Sequence, residues 1–293
     1  MKNIDIKTVK DFGEEWSQYN QSISDEELKI AWDQYFQIFP FEEISIDSEG
    51  FDMGCGSGRW AKYIADKVKS LNCIDPSGKA LAVARNKLKN FSNINYYKAS
   101  ANDSTLKENS QDFGYSLGVL HHIPDTLEGI KACAKLLKKD APFLLYCYYN
   151  FENRPYFFKP LWKLSDYLRQ ILSPLSFRKK VYIASILAYS IYFPLARFAL
   201  VCEKIGINVS HFPLTDYRKK SFYFMKTDAL DRFGTRVEKR FSKALLNSIN
   251  NFWSEENQKK LQLQRETINA TYSWDVRSVE WKNFFDEARK LKA

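Results

Sequence analysis

From residue 50 onward, short apolar runs alternate with longer segments whose apolar positions recur every three or four residues. The runs predict strands at 51–53, 71–74, 94–97, 113–117 and 141–149. Between them, Trp60, Tyr63, Ile64 and Val68 set a helix over 59–69, and the Ala-, Lys- and Leu-rich stretch 77–89 a second. Asp125 stands as N-cap of a helix over 126–139, with Glu128 placed to return the cap. Strands that alternate with helices at this spacing predict an α/β fold: a doubly wound, mainly parallel sheet covered on both faces. Ahead of this core, Ser24 and Glu27 form a capping box for a helix over 24–39, which Pro40 ends. The segment 12–19 is polar, with spaced aromatics at Phe12, Trp16 and Tyr19.

After Asn150 the texture changes. Residues 151–205 are aromatic, basic and apolar without strand alternation, 215–249 read as polar and helical, and 250–293 as a polar helical tail punctuated by Trp253, Trp274 and Trp281. Four segments follow: an N-terminal helical segment 1–49, a core 50–150, a helical cap or insertion 151–249, and a helical tail 250–293. No strand is visible beyond Leu246 to extend the sheet.

The junction of the first strand with the first helix carries the chemistry. Asp52 precedes glycines at 54, 56 and 58, each two residues apart. Glycines in a strand-to-helix turn let a ligand approach the backbone, and a helix N-terminus behind them favours a carboxylate. A dinucleotide site wants a third glycine where this chain has Arg59. The spacing here suits a ligand with an amino-acid end, whose ammonium Asp52 can receive while loop N–H groups meet the ligand. Asp75, 21 residues after Gly54 and at the end of the second strand, can accept hydrogen bonds from ribose hydroxyls.

Residues 51–60, Phe-Asp-Met-Gly-Cys-Gly-Ser-Gly-Arg-Trp, resemble motif I of class I S-adenosylmethionine (SAM)-dependent methyltransferases. Cys73-Ile74-Asp75-Pro76-Ser77 resembles their acidic second motif, and Tyr115 to Ile123, Tyr-Ser-Leu-Gly-Val-Leu-His-His-Ile, the strand-four motif of type 11 methyltransferases. The resemblance implies a Rossmann-like fold with SAM as cofactor. It implies Asp52, Gly54 and Gly56 at the methionine end, with Gly58 completing the loop, and Asp75 at the ribose. Ser100, Ala101 and Asn102 would lie at the adenine, and Leu117 would line the site. A hydroxyl nucleophile needs a base, and His121 and His122, just past the fourth strand, are the candidates; packing of the following turn is the other reading of both.

Charge and cysteine content narrow the surroundings. Five cysteines without a C-x-x-C pair and three histidines suggest neither a disulfide framework nor a metal site, and a charged N-terminus points to a cytoplasmic location. The net charge of +9 concentrates in 154–180, where seven Lys or Arg face one Asp. Val181–Cys202 then holds 22 residues with one charge, Arg197. This insertion reads first as a cap over the site, second as an interfacial anchor at the inner face of an anionic membrane, and third as a membrane span. Its aromatics sit in an apolar, helix-like run, which disfavours nucleic acid. The expectation is a methyltransferase acting on a small-molecule or lipid-linked saccharide acceptor. The rivals are a catalytically silent SAM-binding or membrane-associated partner protein and, set back by Arg59, a nicotinamide dehydrogenase.

Overall fold

The computed structural model describes residues 3–18, 24–152 and 155–242. Among them five strands form one all-parallel sheet: β1 (Glu49–Met53), β2 (Ser70–Ile74), β3 (Ile94–Tyr97), β4 (Phe113–Leu117) and β5 (Phe143–Tyr146). Their order is β3-β2-β1-β4-β5. β1 and β4 are buried along nearly their whole length, which is why they read as continuous apolar runs. Gly50 and Gly114 leave room for Phe113 and Phe51 to pack across the sheet; a Cβ at either would strike the facing ring.

Two helices match their expected positions: α3 (Gly78–Lys87), capped by Ser77, and α4 (Thr126–Leu136), capped by Asp125 through the Glu128 N–H at 2.9 Å. The Ser24 cap likewise holds, accepting from Glu27 N–H at 3.1 Å at the head of α2 (Asp25–Phe36). The expected helix over 59–69 is instead two 3₁₀ turns, Ala61–Tyr63 and Ala65–Lys67, closed by i to i+3 bonds. Its burial pattern, Trp60, Ala61, Ile64, Ala65 and Val68, is nonetheless helical. The spacing identified the inward face but not the hydrogen bonding, and aromatic and β-branched residues favour the α-helix weakly.

Residues 12–18 of the polar, aromatic-spaced segment belong to α1 (Ile6–Gln18). This helix packs on α3: Gly13 sits against Ser77, and Glu14 pairs with Lys79. Asn3 ties the chain ahead of it to the core, donating to Asn102 Oδ1 (3.1 Å) and Asp125 O (2.6 Å) and accepting from Asp125 N–H (2.7 Å).

Beyond β5 the chain builds a helical layer. α5 (Phe158–Leu172) is followed by one continuous helix, 177–204, made of α6 (Phe177–Leu187), a π turn (Ala188–Tyr192) and α7 (Phe193–Lys204). The π turn precedes Pro194, whose ring and missing N–H do not fit an unbroken α-helix interior. α8 (Phe222–Gly234) packs between α5 and α6. Ala184, Ala188, Tyr192 and Ala196 meet Met225, Ala229 and Leu230 of α8 in a core separate from the two beside the sheet. Helix 177–204 is long and apolar enough to cross a bilayer, but this packing lays one of its faces along the protein. The expectation of helix over 215–249 holds through α8, after which 235–242 is extended rather than helical: Phe241 bridges Tyr149 at the sheet edge. The expected tail 250–293 and its three tryptophans lie outside the described residues.

Candidate active site

The sheet reverses its winding between β1 and β4, and the loops that follow these two strands open a crevice at their carboxyl ends, the usual ligand position in such sheets. A cavity of about 1310 Å³ occupies it. Its floor is Gly54, Cys55 and Gly56 after β1, Asp75 after β2, and Leu117, Gly118 and Val119 after β4. Residues of α1 and of the helical layer form its walls. The volume exceeds the roughly 300–1,000 Å³ of an ordinary small-molecule pocket and accommodates two ligands side by side.

The three loop glycines take positive φ, 79° at Gly54, 55° at Gly56 and 72° at Gly58, where side chains are strained. A side chain at Gly54 would run into Val119, and one at Gly58 into Leu88. These two glycines therefore serve backbone shape and packing; Gly58 is not in the cavity wall. At Gly56 a Cβ would stand 3.1 Å from the indole of Trp16 on α1. The loop N–H groups, expected to meet the ligand, are engaged within the protein. Those of Gly54 and Cys55 donate to Ile74 O (2.7 and 3.1 Å), Gly56 to Asp75 Oδ2 (3.0 Å) and Gly58 to Cys55 O (2.9 Å). With 3₁₀ turns following, the expected helix N-terminus behind the loop is also missing.

Asp75 lies in the cavity wall. It accepts from Gly56 N–H and, through Oδ1, from Ser77 N–H at 2.8 Å, and burial pushes its carboxyl up to about 6 against those two bonds. Each carboxylate oxygen retains acceptor capacity for a diol. Asp52 sits beneath the loop, not in the wall. Its Oδ2 has no hydrogen-bond partner; burial, helped by Asp75, pushes it up to about 8 against the neighbouring Tyr115 hydroxyl and Arg59. Asp52, expected to receive an ammonium directly or through water, is not among the residues that line the cavity. Ser100, Ala101 and Asn102 also lie outside the wall: Asn3 covers Asn102, and Ile4, Asp5, Thr8 and Val9 line the cavity instead. Leu117 is in the wall as expected.

The histidine pair separates. His121 is fully buried, stacks on Tyr148 with centroids 3.9 Å apart, and neither ring nitrogen has a partner. Burial, then His122 and Arg240, holds its pKa well below the usual value. It is a packing residue and is absent from the cavity wall. His122 is in the wall. Its Nδ1 lies 2.6 Å from Val237 O, and a carbonyl only accepts, so Nδ1 carries a proton; in the neutral ring Nε2 then holds the lone pair. Nε2 is 3.7 Å from Asp231 Oδ1 on α8. Asp231 is itself oriented, accepting from Thr235 Oγ1 (3.0 Å) and from the Tyr148 hydroxyl.

Three wall residues were not singled out from the sequence: Glu15, Arg59 as a contact, and Asp231. Glu15 is buried on α1, has no hydrogen bond among the described residues, and is pushed up to about 8, first by burial and then by Asp231. Arg59 lies over the rings of Trp16 and Trp60, at 4.9 and 4.7 Å from their centroids. The available signal for α1 was its 9, 12, 16 apolar spacing; nothing local marks Asp231, 110 residues from the strand-four motif.

This combination of sheet order, glycine turn and following acid defines a Rossmann-like domain of the class I SAM-dependent methyltransferase type. The methyltransferase domain family model matches residues 51–145, and that segment belongs to the type 11 family. The chain is similar to the ubiquinone biosynthesis O-methyltransferase of Nitrosospira multiformis, 28% identical over 122 residues, 36% of this chain and 51% of that protein. It is also similar to the enzyme of the same name from Pseudomonas aeruginosa, 27% identical over 205 residues, 64% of this chain and 84% of that one. It spans about half the length of several of the curated relatives it matches. Among solved structures, the YcgJ protein of Bacillus subtilis covers 81% of this chain and 88% of its own at 16% identity, with a TM-score of 0.42.

Proposed function

We propose that the protein transfers the methyl group of SAM to a hydroxyl of a small-molecule or lipid-linked saccharide acceptor, with His122 as general base. The observation that carries the reading is one cavity holding both Asp75 at the glycine loop and a histidine whose Nε2 stands beside an oriented carboxylate. The residues present fit SAM. Asp75 suits a ribose diol, Glu15 suits an ammonium that draws off its proton, and the guanidinium of Arg59 suits a carboxylate. SAM supplies an electrophilic methyl group on a cationic sulfur.

The chain's own part is alignment, exclusion of water and removal of one proton. His122 Nε2 accepts the hydroxyl proton as the oxygen attacks, and Asp231 at 3.7 Å stabilises the imidazolium that forms. The Val237 carbonyl fixes the tautomer that leaves Nε2 available. The curated relatives are named as O-methyltransferases, which supports a hydroxyl acceptor.

The test is tritiated methyl transfer from SAM into polar and lipid extracts, comparing wild type with His122→Asn. General-base loss lowers turnover by about 10²–10⁴-fold, and the variant should keep the wild-type affinity for SAM. A variant with full turnover assigns the base elsewhere. SAM binding without transfer to any extract would favour the catalytically silent reading.

A further inference from the structure

We propose that the outward face of the helical layer docks on an anionic lipid bilayer, and that an amphiphilic acceptor enters the cavity from that face. The acceptor's fate rests on the methyl-transfer reading; the docking does not.

The layer is built inside out for a protein surrounded by water. On α5, Phe157, Leu161, Leu164, Leu168 and Ile171 recur at 4-3-4-3 spacing and all are exposed. The opposite side of the helix buries a charge: Arg169 donates to Thr235 O (3.1 Å), Arg236 O (2.7 Å) and Asp166 (2.9 Å). A surface helix normally turns such a stripe inward. Helix 177–204 repeats the inversion. Its buried positions are mostly small, Ala184, Ala188, Ala196 and Ala199, while Tyr182, Tyr189 and Phe198 are 68%, 72% and 59% exposed. Together these stripes make an apolar surface of a kind that marks an interaction site.

Charge selects the occupant. The exposed charges along 155–207 are Lys159, Lys163, Arg178, Lys179 and Lys204, none of which has an ion-pair partner among the described residues. The acids of the same stretch are engaged and partly buried, Asp166 by Arg169 and Glu203 by Arg218. Apolar residues beside uncompensated cations match the boundary between acyl chains and anionic headgroups. A second copy seated on this face by two-fold symmetry would set the same cations against one another. Residues 243–293 hold nine Lys or Arg against seven Asp or Glu, with no surplus of acid to complement it.

Continuity ties the face to the site. Leu161, Leu164 and Leu168 of α5, and Ile191 and Leu195 of the long helix, are exposed and also line the cavity. An apolar chain lying among acyl chains can therefore reach the cavity past this rim without exposing itself to water.

The experiment is co-sedimentation of the full-length protein with phosphatidylglycerol or phosphatidylcholine vesicles. Expected is binding to phosphatidylglycerol at least tenfold tighter than to phosphatidylcholine, released by salt. The quadruple variant Lys159→Glu, Lys163→Glu, Arg178→Glu, Lys179→Glu should lose at least tenfold in partition, since each cation at such a surface contributes about 1 kcal/mol. Tyr182→Ser with Tyr189→Ser should weaken binding with the cations intact, and covers the case in which the quadruple variant fails to fold. Both should keep the wild-type affinity for SAM. No binding to phosphatidylglycerol vesicles, or equal binding by the charge-reversed protein, overturns the proposal; so does concentration-dependent self-association without vesicle binding, which gives the face to a second copy. Vesicle binding by a protein that does not bind SAM would leave the docking standing and sink the methyl-transfer reading.

Discussion

At the scale of residues, burial raises the proton affinity of two carboxyl groups at and beneath the site. Glu15 and Asp52 are both pushed up to about 8 in the folded protein, from ordinary values near 4. Between those limits the folded state binds more protons than the unfolded state, so stability falls as pH rises. Each group contributes a slope of up to about 1.4 kcal/mol per pH unit. The urea midpoint of the protein without added ligand should therefore fall steadily from pH 5 to pH 8, and Glu15→Gln should flatten that fall. An unchanged slope in the variant would place the buried proton elsewhere. Asp75 has two duties, the ligand wall and the loop. Asp75→Ala should weaken SAM binding tenfold or more, at roughly 1.5–3 kcal/mol per bond to a charged acceptor. It should also cost folding stability, because the Gly56 and Ser77 N–H groups lose their acceptor. Calorimetry beside urea unfolding separates the two losses; intact SAM affinity in a folded variant would move the ribose site.

At the scale of elements, the parallel strands were legible because burial on both faces makes them unbroken apolar runs; β3 and β4 fall where the pattern put them. The expected fifth strand, 141–149, is shorter, because after Tyr146 the chain leaves β5 to pair through Tyr149 with Phe241. That partner lies about 90 residues away, where no local pattern announces it. The first loop was legible as a glycine turn, but its amides are spent on Ile74 and Asp75, a tertiary fact. The cap was legible as helical, whereas its outward apolar face follows from which side meets α8. Lys180, at the start of the long helix, shows how that choice is fixed. It is buried, donating to Asp11 of α1 (2.5 Å) and to Gly234 O (2.9 Å) at the end of α8. Lys180→Met removes one bond to a charged acceptor and leaves a buried carbonyl unpaired. It should lower unfolding free energy by roughly 2–3 kcal/mol. A loss below about 0.5 kcal/mol would mean that the three helices are held by apolar packing alone.

At the scale of the whole molecule, a methyltransferase domain supplies the floor of a cavity whose two other walls come from outside it: α1 with Trp16 and Glu15, and the helical layer with Asp231 and the α5 rim. His122, the proposed base, belongs to the domain, yet the carbonyl that engages its Nδ1 and its carboxylate partner come from residues 231–237. The cavity is thus assembled from the type 11 segment and from segments on both sides of it. Everything in this assembly depends on the ligand that the glycine loop and Asp75 hold. Isothermal titration of the full-length protein with SAM, S-adenosylhomocysteine and NAD tests it most directly. The account predicts saturable binding of both sulfur nucleosides, weakened at least tenfold by Asp75→Ala, and no binding of NAD. Tight binding of NAD with none of SAM would contradict it.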